Sequence, residues 1–255
     1  MIRQTWWLTH RQLKALLRQP GVLFFTLLQP VVWLFLFGNL FKRIVELPGF
    51  GTASYVDYLV PGIVVMNAVS ANMWAGMNTI DEIERGTLDR FLTTPVGRGA
   101  IMNANVIVAA ASTALQSAII VLLGWAAGAR YPGGVFGPVA LVVLSMVLGT
   151  VFSALSNAFG MTVRQRESVI GLSIFLLLPL TFMSSAFMAE SLMPGWMQGA
   201  AAANPVNWSL EAARGALSES VDWGVTLGRG GWLLALAAVM VWLSTLTFRG
   251  YQKKV

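Results

Sequence analysis

Asp81-Glu82-Ile83-Glu84-Arg85-Gly86-Thr87-Leu88-Asp89-Arg90-Phe91-Leu92-Thr93-Thr94-Pro95 is the stretch on which the reading of this chain turns. Its first ten residues hold six charges, in a chain that is only 11% charged. Long uncharged runs lie on both sides of it. Read as a helix, it puts Asp81 and Arg85 at i,i+4 with the acid first, the favourable orientation. Leu88, Phe91 and Leu92 share one face and leave Asp89 and Arg90 on another. Gly86 weakens the middle, and Thr93, Thr94 and Pro95 end the element. A short amphipathic helix over 81–95, held between two membrane spans, is placed to receive a partner. The plainer alternative is a solvated loop whose charges set topology.

Working outward, 56% of the 255 residues are hydrophobic and the mean hydropathy is +0.68. Soluble domains carry about 25% charged residues, so the class is a polytopic, all-α membrane protein. No polar stretch is long enough for a separate soluble domain, and residues 1–255 form one transmembrane unit. The formal charge of +6 reflects loops that stay on the cytoplasmic side rather than nucleic-acid binding. With no cysteine and one histidine, His10, neither disulfides nor a thiolate or histidine metal site is expected.

Six uncharged stretches are each long enough to span a bilayer, which takes about 20 apolar residues. They are 21–41 with Pro30 inside, 58–80, 100–129, 131–163, 168–189 with Pro179 inside, and 230–248. Backbone polar groups in lipid must be bonded internally, so these runs are read as helices. With the N-terminus inside, twelve Lys and Arg fall on inner segments and five on outer ones. That asymmetry places both termini and residues 81–95 in the cytoplasm. Lys42-Arg43 is the awkward pair, directly after the first span on the outer side. Residues 1–19 mix Arg3, Arg11, Lys14 and Arg18 with Trp6, Leu13, Leu16 and Leu17, and read as an interfacial helix; no cleavable signal is expected. Residues 190–229 interleave Trp196, Trp208 and Leu210 with Pro194 and Asn204-Pro205, and read as two short helices dipping into the outer interface. Gly124-x-x-x-Gly128 would allow close helix contact, though one such match is weak.

None of the six expected spans contains an ionisable residue, which disfavours a proton- or sodium-coupled carrier. No G-x-x-x-x-G-K-[ST] phosphate loop occurs, so ATP is not hydrolysed here by that route. The chain is not expected to be an enzyme; if it pumps, energy arrives from another polypeptide through 81–95. In the second span Asn67, Ala71, Trp74 and Asn78 fall on one face that could line a path for an amphiphile. The alternative is that the Asn side chains bond across helices inside the bundle. Pro179 loosens the fifth span beside Phe182 and Met183, which suits lining or packing.

With these residues in view, the chain resembles permease subunits of ABC-2 type exporters, in particular the daunorubicin-resistance-like drug-efflux branch. The resemblance rests on Tyr58-Leu59-Val60-Pro61-Gly62-Ile63, on Glu84 to Pro95, and on Asn204-Pro205 with Glu211-Ala212-Ala213-Arg214. It implies six spans per subunit, a second permease (the same chain or a paralogue), and two separate ATPase subunits that carry the ATP and Mg2+. It implies that 81–95 is the coupling helix docked in the ATPase, 1–19 the connecting helix, and 190–229 small outer helices that help close the exit. On this resemblance Glu82, Glu84, Arg85, Thr87, Asp89 and Arg90 belong to the polar contact with the ATPase, and Leu88, Phe91 and Leu92 fill its groove. The family often has a second acid where Gly86 stands. The cargo implied is a hydrophobic or amphipathic compound, drug or lipid-like, moved out across the cytoplasmic membrane by alternating access. Rival readings are a membrane anchor for a cytoplasmic partner and an ion-coupled secondary carrier.

Overall fold

The computed structural model describes residues 7, 9–10, 20–46, 54–85 and 98–252. The helices are α1 (Pro20–Leu40), α2 (Tyr55–Met73), α3 (Ala75–Glu84), α4 (Arg98–Ala126), α5 (Phe136–Val163), α6 (Arg166–Phe182), α7 (Gly195–Ala202), α8 (Pro205–Leu217) and α9 (Trp223–Gln252). Single 3-10 turns occupy Ile44–Glu46 and Glu190–Leu192. No strand occurs among the described residues. Four stretches are helical, long and apolar enough to cross a membrane: Tyr55–Asp81, Asn105–Ala126, Phe136–Val163 and Trp223–Phe248. The expected interfacial helix at 1–19 lies outside the described residues apart from Trp7, Thr9 and His10. Those three are helical, with Trp7 exposed.

Helix ends differ from hydropathy ends in an informative way. The expected sixth span begins at residue 230, but α9 begins at Trp223 and carries Arg229. The expected fourth span begins at 131, but α5 starts only at Phe136, after turns at 132–135. Charge marks where lipid ends, whereas a helix continues while its backbone bonds are satisfied. The Gly124-x-x-x-Gly128 pair divides in the same manner. A Cβ at Gly124 would meet Val60 Cγ2 at 2.6 Å, so this glycine does let α4 approach α2. Gly128 lies beyond the helix end with φ +97 and makes no such contact. It turns the chain out of α4, as a left-handed residue after a helix commonly does.

The hub is α5, which packs against α9, α4, α2, α8 and α3. Its buried face holds Leu141, Leu148, Phe152 and Ala154, together with the small residues Gly149, Ser156, Asn157 and Gly160. In lipid the helices gain little from hydrophobic association, so small residues and cross-helix hydrogen bonds set the contacts. Two such bonds join α2 to α4. Asn67 Nδ2 donates to Gln116 Oε1 at 2.8 Å, and Asn72 Nδ2 donates to Thr113 Oγ1 at 2.8 Å. Gly149 closes over the second, since a Cβ there would stand 2.7 Å from Asn72 Nδ2.

The expected second span is interrupted. Its helix stops at Met73, Trp74 takes φ −90 and ψ 0, and α3 resumes at Ala75. The freed backbone groups are met by α5. Ser156 Oγ donates to the Met73 carbonyl at 2.6 Å and accepts from the Gly76 amide at 2.9 Å. Ser173 Oγ of α6 lies 3.1 Å from the same carbonyl, sharing its proton with the Val169 carbonyl. Buried backbone polar groups must be paired, and a serine hydroxyl can donate and accept at once. Replacing Ser156 by alanine leaves the Gly76 amide unpaired. A loss of about 1–3 kcal/mol is expected, read as a lower thermal midpoint in detergent; an unchanged midpoint would show that the break does not depend on this hydroxyl.

Candidate functional site

Among the described residues, three regions gather polar and charged side chains or form a cleft. The first is the end of α3. Asp81 to Glu84 form its last turn and Arg85 caps it, so this part of the expected coupling helix continues an existing helix instead of starting one. The expected i,i+4 pair is loose, with Arg85 Nη2 4.0 Å from Asp81 Oδ2. Asp81 has a closer partner: Arg166 Nη2 lies 2.7 Å from Asp81 Oδ1 and 2.5 Å from Glu84 Oε2. Two carboxylates on one guanidinium hold the Arg166 pKa above its ordinary value, the Glu84 hydrogen bond contributing most. Arg166 reaches them because the chain turns sharply between α5 and α6. Arg164 is left-handed at φ 56, and Gln165 is extended immediately before Arg166 opens α6. In sequence Arg166 is one of the twelve inner Lys and Arg residues; nothing local to it signals two partners more than eighty positions away.

Glu84 and Arg85 are thus exposed at the tip of α3, Glu84 engaged by Arg166 and Arg85 largely in solvent. Glu82 lies in the same last turn of α3; its side chain and Thr87, Leu88, Asp89, Arg90, Phe91 and Leu92 lie outside the described residues.

The second region is a cleft of about 220 Å³ between α1, α2 and α6. Gln29, Pro30 and Trp33 form one side, Ile63, Met66, Asn67 and Ser70 another, and Leu177, Leu178, Thr181 and Phe182 the third. Of the six residues expected along a path, Asn67 and Phe182 line this cleft. Ala71, Trp74, Asn78 and Met183 are not among its lining residues. Trp74 sits at the helix break, Asn78 is exposed on α3, and Met183 is half-buried at the end of α6. Asn67 also carries out its alternative role, since its amide is bonded across to Gln116. The Thr181 hydroxyl is buried without a hydrogen-bond partner. Beside the cleft, Ile174, Phe175, Leu178 and Phe182 leave α6 with an exposed apolar face, Phe175 being 72% exposed.

The third region is the α8 end. Arg214 stacks on Tyr58 with its guanidinium carbon 3.8 Å from the ring centroid. It donates from Nη1 to Ser185 Oγ at 2.8 Å and from Nη2 to the Ser185 carbonyl at 2.7 Å. Tyr58 Oη donates to that carbonyl at 2.6 Å. Asn207 Oδ1 accepts from the Ser185 amide and hydroxyl, and Asn207 Nδ2 donates to Glu211 Oε1 at 2.6 Å. Arg229 Nε pairs with Glu211 Oε2 at 2.5 Å. Burial pushes the Glu211 carboxyl pKa up against the pull of Arg229. Asn204 caps α8 by accepting from the Val206 amide, and its Nδ2 donates to the Leu180 carbonyl at 2.7 Å. The turn after α6 is therefore tied to α8 and to the first turns of α2. Gly62 makes room for it, since a Cβ there would stand 2.3 Å from the Ala186 carbonyl oxygen. Arg214 and Arg229, counted in sequence as loop charges, are both held by partners within the protein.

No group of three or more His, Cys, Asp or Glu that could hold a metal ion occurs among the described residues. Comparison with known proteins gives the chain a family. Residues 3–218 match the ABC-2 type transporter family. The chain is 30% identical to the daunorubicin resistance ABC transporter permease protein DrrB1 of Streptomyces coeruleorubidus, over 97% of this chain and 86% of that protein. It is 30% identical to the putative transport permease ycf38 of Porphyra purpurea, over 82% of this chain and 72% of that protein. It is 22% identical to the probable doxorubicin resistance ABC transporter permease protein DrrC of Mycobacterium tuberculosis, over 62% of this chain and 56% of that protein. With a family match over most of its length and helices of membrane-spanning length and composition, this chain belongs to the ABC-2 type transporter family.

Proposed function

We propose that this chain is the membrane-embedded permease subunit of an ATP-driven exporter, with six spans and both termini in the cytoplasm. Two further spans, α1 and α6, join the four long apolar helices in this reading. Residues 81–95 dock in a separate ATPase subunit, which carries the ATP and Mg2+; two such subunits serve a pair of permeases. The short helices α7 and α8 lie at the outer face and help close the exit, and residues 1–19 lie along the inner headgroups. The observation that carries this reading is the α3 tip. Between long apolar stretches, it presents Arg85 with a side chain 78% exposed, directly before residues 86–95, whose sequence is amphipathic.

The cargo is a hydrophobic or amphipathic compound, drug- or lipid-like, as the names of the daunorubicin and doxorubicin resistance relatives suggest. The α1–α2–α6 cleft supports this. Its walls are mostly apolar, with a few hydrogen-bonding groups, which is the usual make-up of a small-molecule site. At about 220 Å³ it is smaller than the roughly 300–1,000 Å³ of such sites, and the exposed α6 face beside it suits completion by the second permease. Direction comes from different affinities of the cargo for the inward and outward states.

Reversing the charges at the docking segment tests the assignment. The double variant Arg85→Glu, Asp89→Arg is expected to fold normally and to lose ATP-driven export by about tenfold or more, the scale of mispaired charges at an interface. Export and ATPase stimulation at wild-type level in proteoliposomes, with the partner ATPase present, would remove residues 81–95 from that role.

A further inference from the structure

The walls of the α1–α2–α6 cleft are tied differently to α3. On the α2 side the helical ladder is interrupted at Trp74, so α3 can reorient there without breaking a continuous run of helix bonds. On the other sides α3 and the break before it are held by side chains of α5 and α6. Gly76 and the Met73 carbonyl are bonded to Ser156 of α5, and Thr79 Oγ1 donates to Asn157 Oδ1 at 2.8 Å. Arg166, the first residue of α6, holds both Asp81 and Glu84. Ser173, two turns further along α6, reaches the Met73 carbonyl at the break itself. Hinges in proteins are a few residues at element ends that absorb the dihedral change, and Trp74 is such a position.

We propose that Arg166 is a positioning residue that hands the movement of α3 to α6, and that α6 is therefore the moving wall of the cleft. The inference deepens the permease reading and rests on it. A push on the α3 tip would reach Leu177, Leu178, Thr181 and Phe182 through a guanidinium that grips two carboxylates one helical turn apart. Ile63, Met66, Asn67 and Ser70 stay behind with α2, whose amides are bonded to α4. The bridge is poorly suited to a purely structural task. The Arg166 side chain is 44% exposed, and exposed ion pairs contribute little to stability. Its removal is expected to spare folding and to change coupling.

The chain has no cysteine, so a reporter pair can be introduced cleanly. Met66→Cys on α2 and Leu177→Cys on α6 place one thiol on each wall. The doubly substituted permease is assembled with its ATPase and treated with a short bis-maleimide, with and without ATP and vanadate. The cross-linking rate is expected to change about fivefold on nucleotide trapping, the lower end of coupling between sites. Adding Arg166→Ala is expected to abolish that change while thermal midpoint and ATPase binding stay as in the parent. Arg166→Lys keeps the charge but replaces the guanidinium by a compact ammonium, and should give an intermediate response. The inference is overturned if Arg166→Ala leaves the nucleotide-dependent change intact. It is also overturned if the parent pair shows no change while ATP-driven export proceeds. A complex that neither exports nor answers ATP would instead sink the permease reading itself, and this inference with it.

Discussion

Substituting Gly76 by valine is expected to prevent the bundle from assembling. A Cβ at this position would stand 2.2 Å from the Ser156 carbonyl oxygen and 2.9 Å from its Oγ. The oxygen belongs to helical backbone and cannot swing aside as a side chain tip would. The contact is also reciprocal: a Cβ at Gly160 would stand 2.7 Å from the Gly76 carbonyl oxygen. Withdrawal of α5 from α3 is limited because α5 also packs against α9, α4 and α8. Overpacking costs about 1–3 kcal/mol and occasionally more, and loss of the Gly76 amide bond to Ser156 adds about 1–3 kcal/mol. A total of about 4 kcal/mol would be a large part of the roughly 5–15 kcal/mol that holds a domain folded. Size-exclusion chromatography in mild detergent is expected to show aggregate for Gly76→Val and a weakened but monodisperse protein for Gly76→Ala. A valine variant with the parental elution and thermal midpoint would mean that α3 and α5 do not approach this closely.

Replacing Arg214 by leucine is expected to release the turn after α6. The guanidinium supplies two short donated bonds to Ser185 and a stack on Tyr58, and leucine replaces none of them. Hydrogen bonds involving a charged group contribute about 1.5–3 kcal/mol each and a desolvated cation–π contact about 2 kcal/mol. These are not additive, and the leucine recovers some apolar packing, so a net loss of about 3 kcal/mol is expected. Lysine keeps the charge but not the planar fork, and should recover less than half. Hydrogen exchange at the amides of residues 183–188 reads the effect directly, with faster exchange in the leucine variant. Equal exchange in arginine, lysine and leucine forms would show that Tyr58, Asn207 and Gly62 hold the turn without Arg214.

Helix-rich membrane architecture was legible from composition because charge is costly in lipid and every spanning stretch must be nearly free of it. The ends of those stretches were less legible. Arg229 and Asp57 lie within helices, near their starts, because a helix does not stop where lipid stops. The face drawn through Asn67, Ala71, Trp74 and Asn78 assumed an unbroken 3.6-residue period. The helix is interrupted at Trp74, and of these four residues Asn67 lines the cleft. The Asp81–Arg85 pair was a sound local reading, but Arg166 outcompetes Arg85 for Asp81. No pattern within ten residues of Asp81 could have shown that.

From the chain alone came a helical membrane protein with no phosphate loop and one densely charged stretch between long apolar runs. Those properties are carried by residue type and short-range order, which the bilayer reads one segment at a time. Folding in three dimensions decided where the second span breaks, which glycines bring α3 against α5, and which arginine seizes the α3 tip. Each of these depends on a hydroxyl, a carbonyl or a carboxylate about eighty positions away. Buried polar groups in lipid must find partners wherever the packing brings them, and sequence distance carries no information about that.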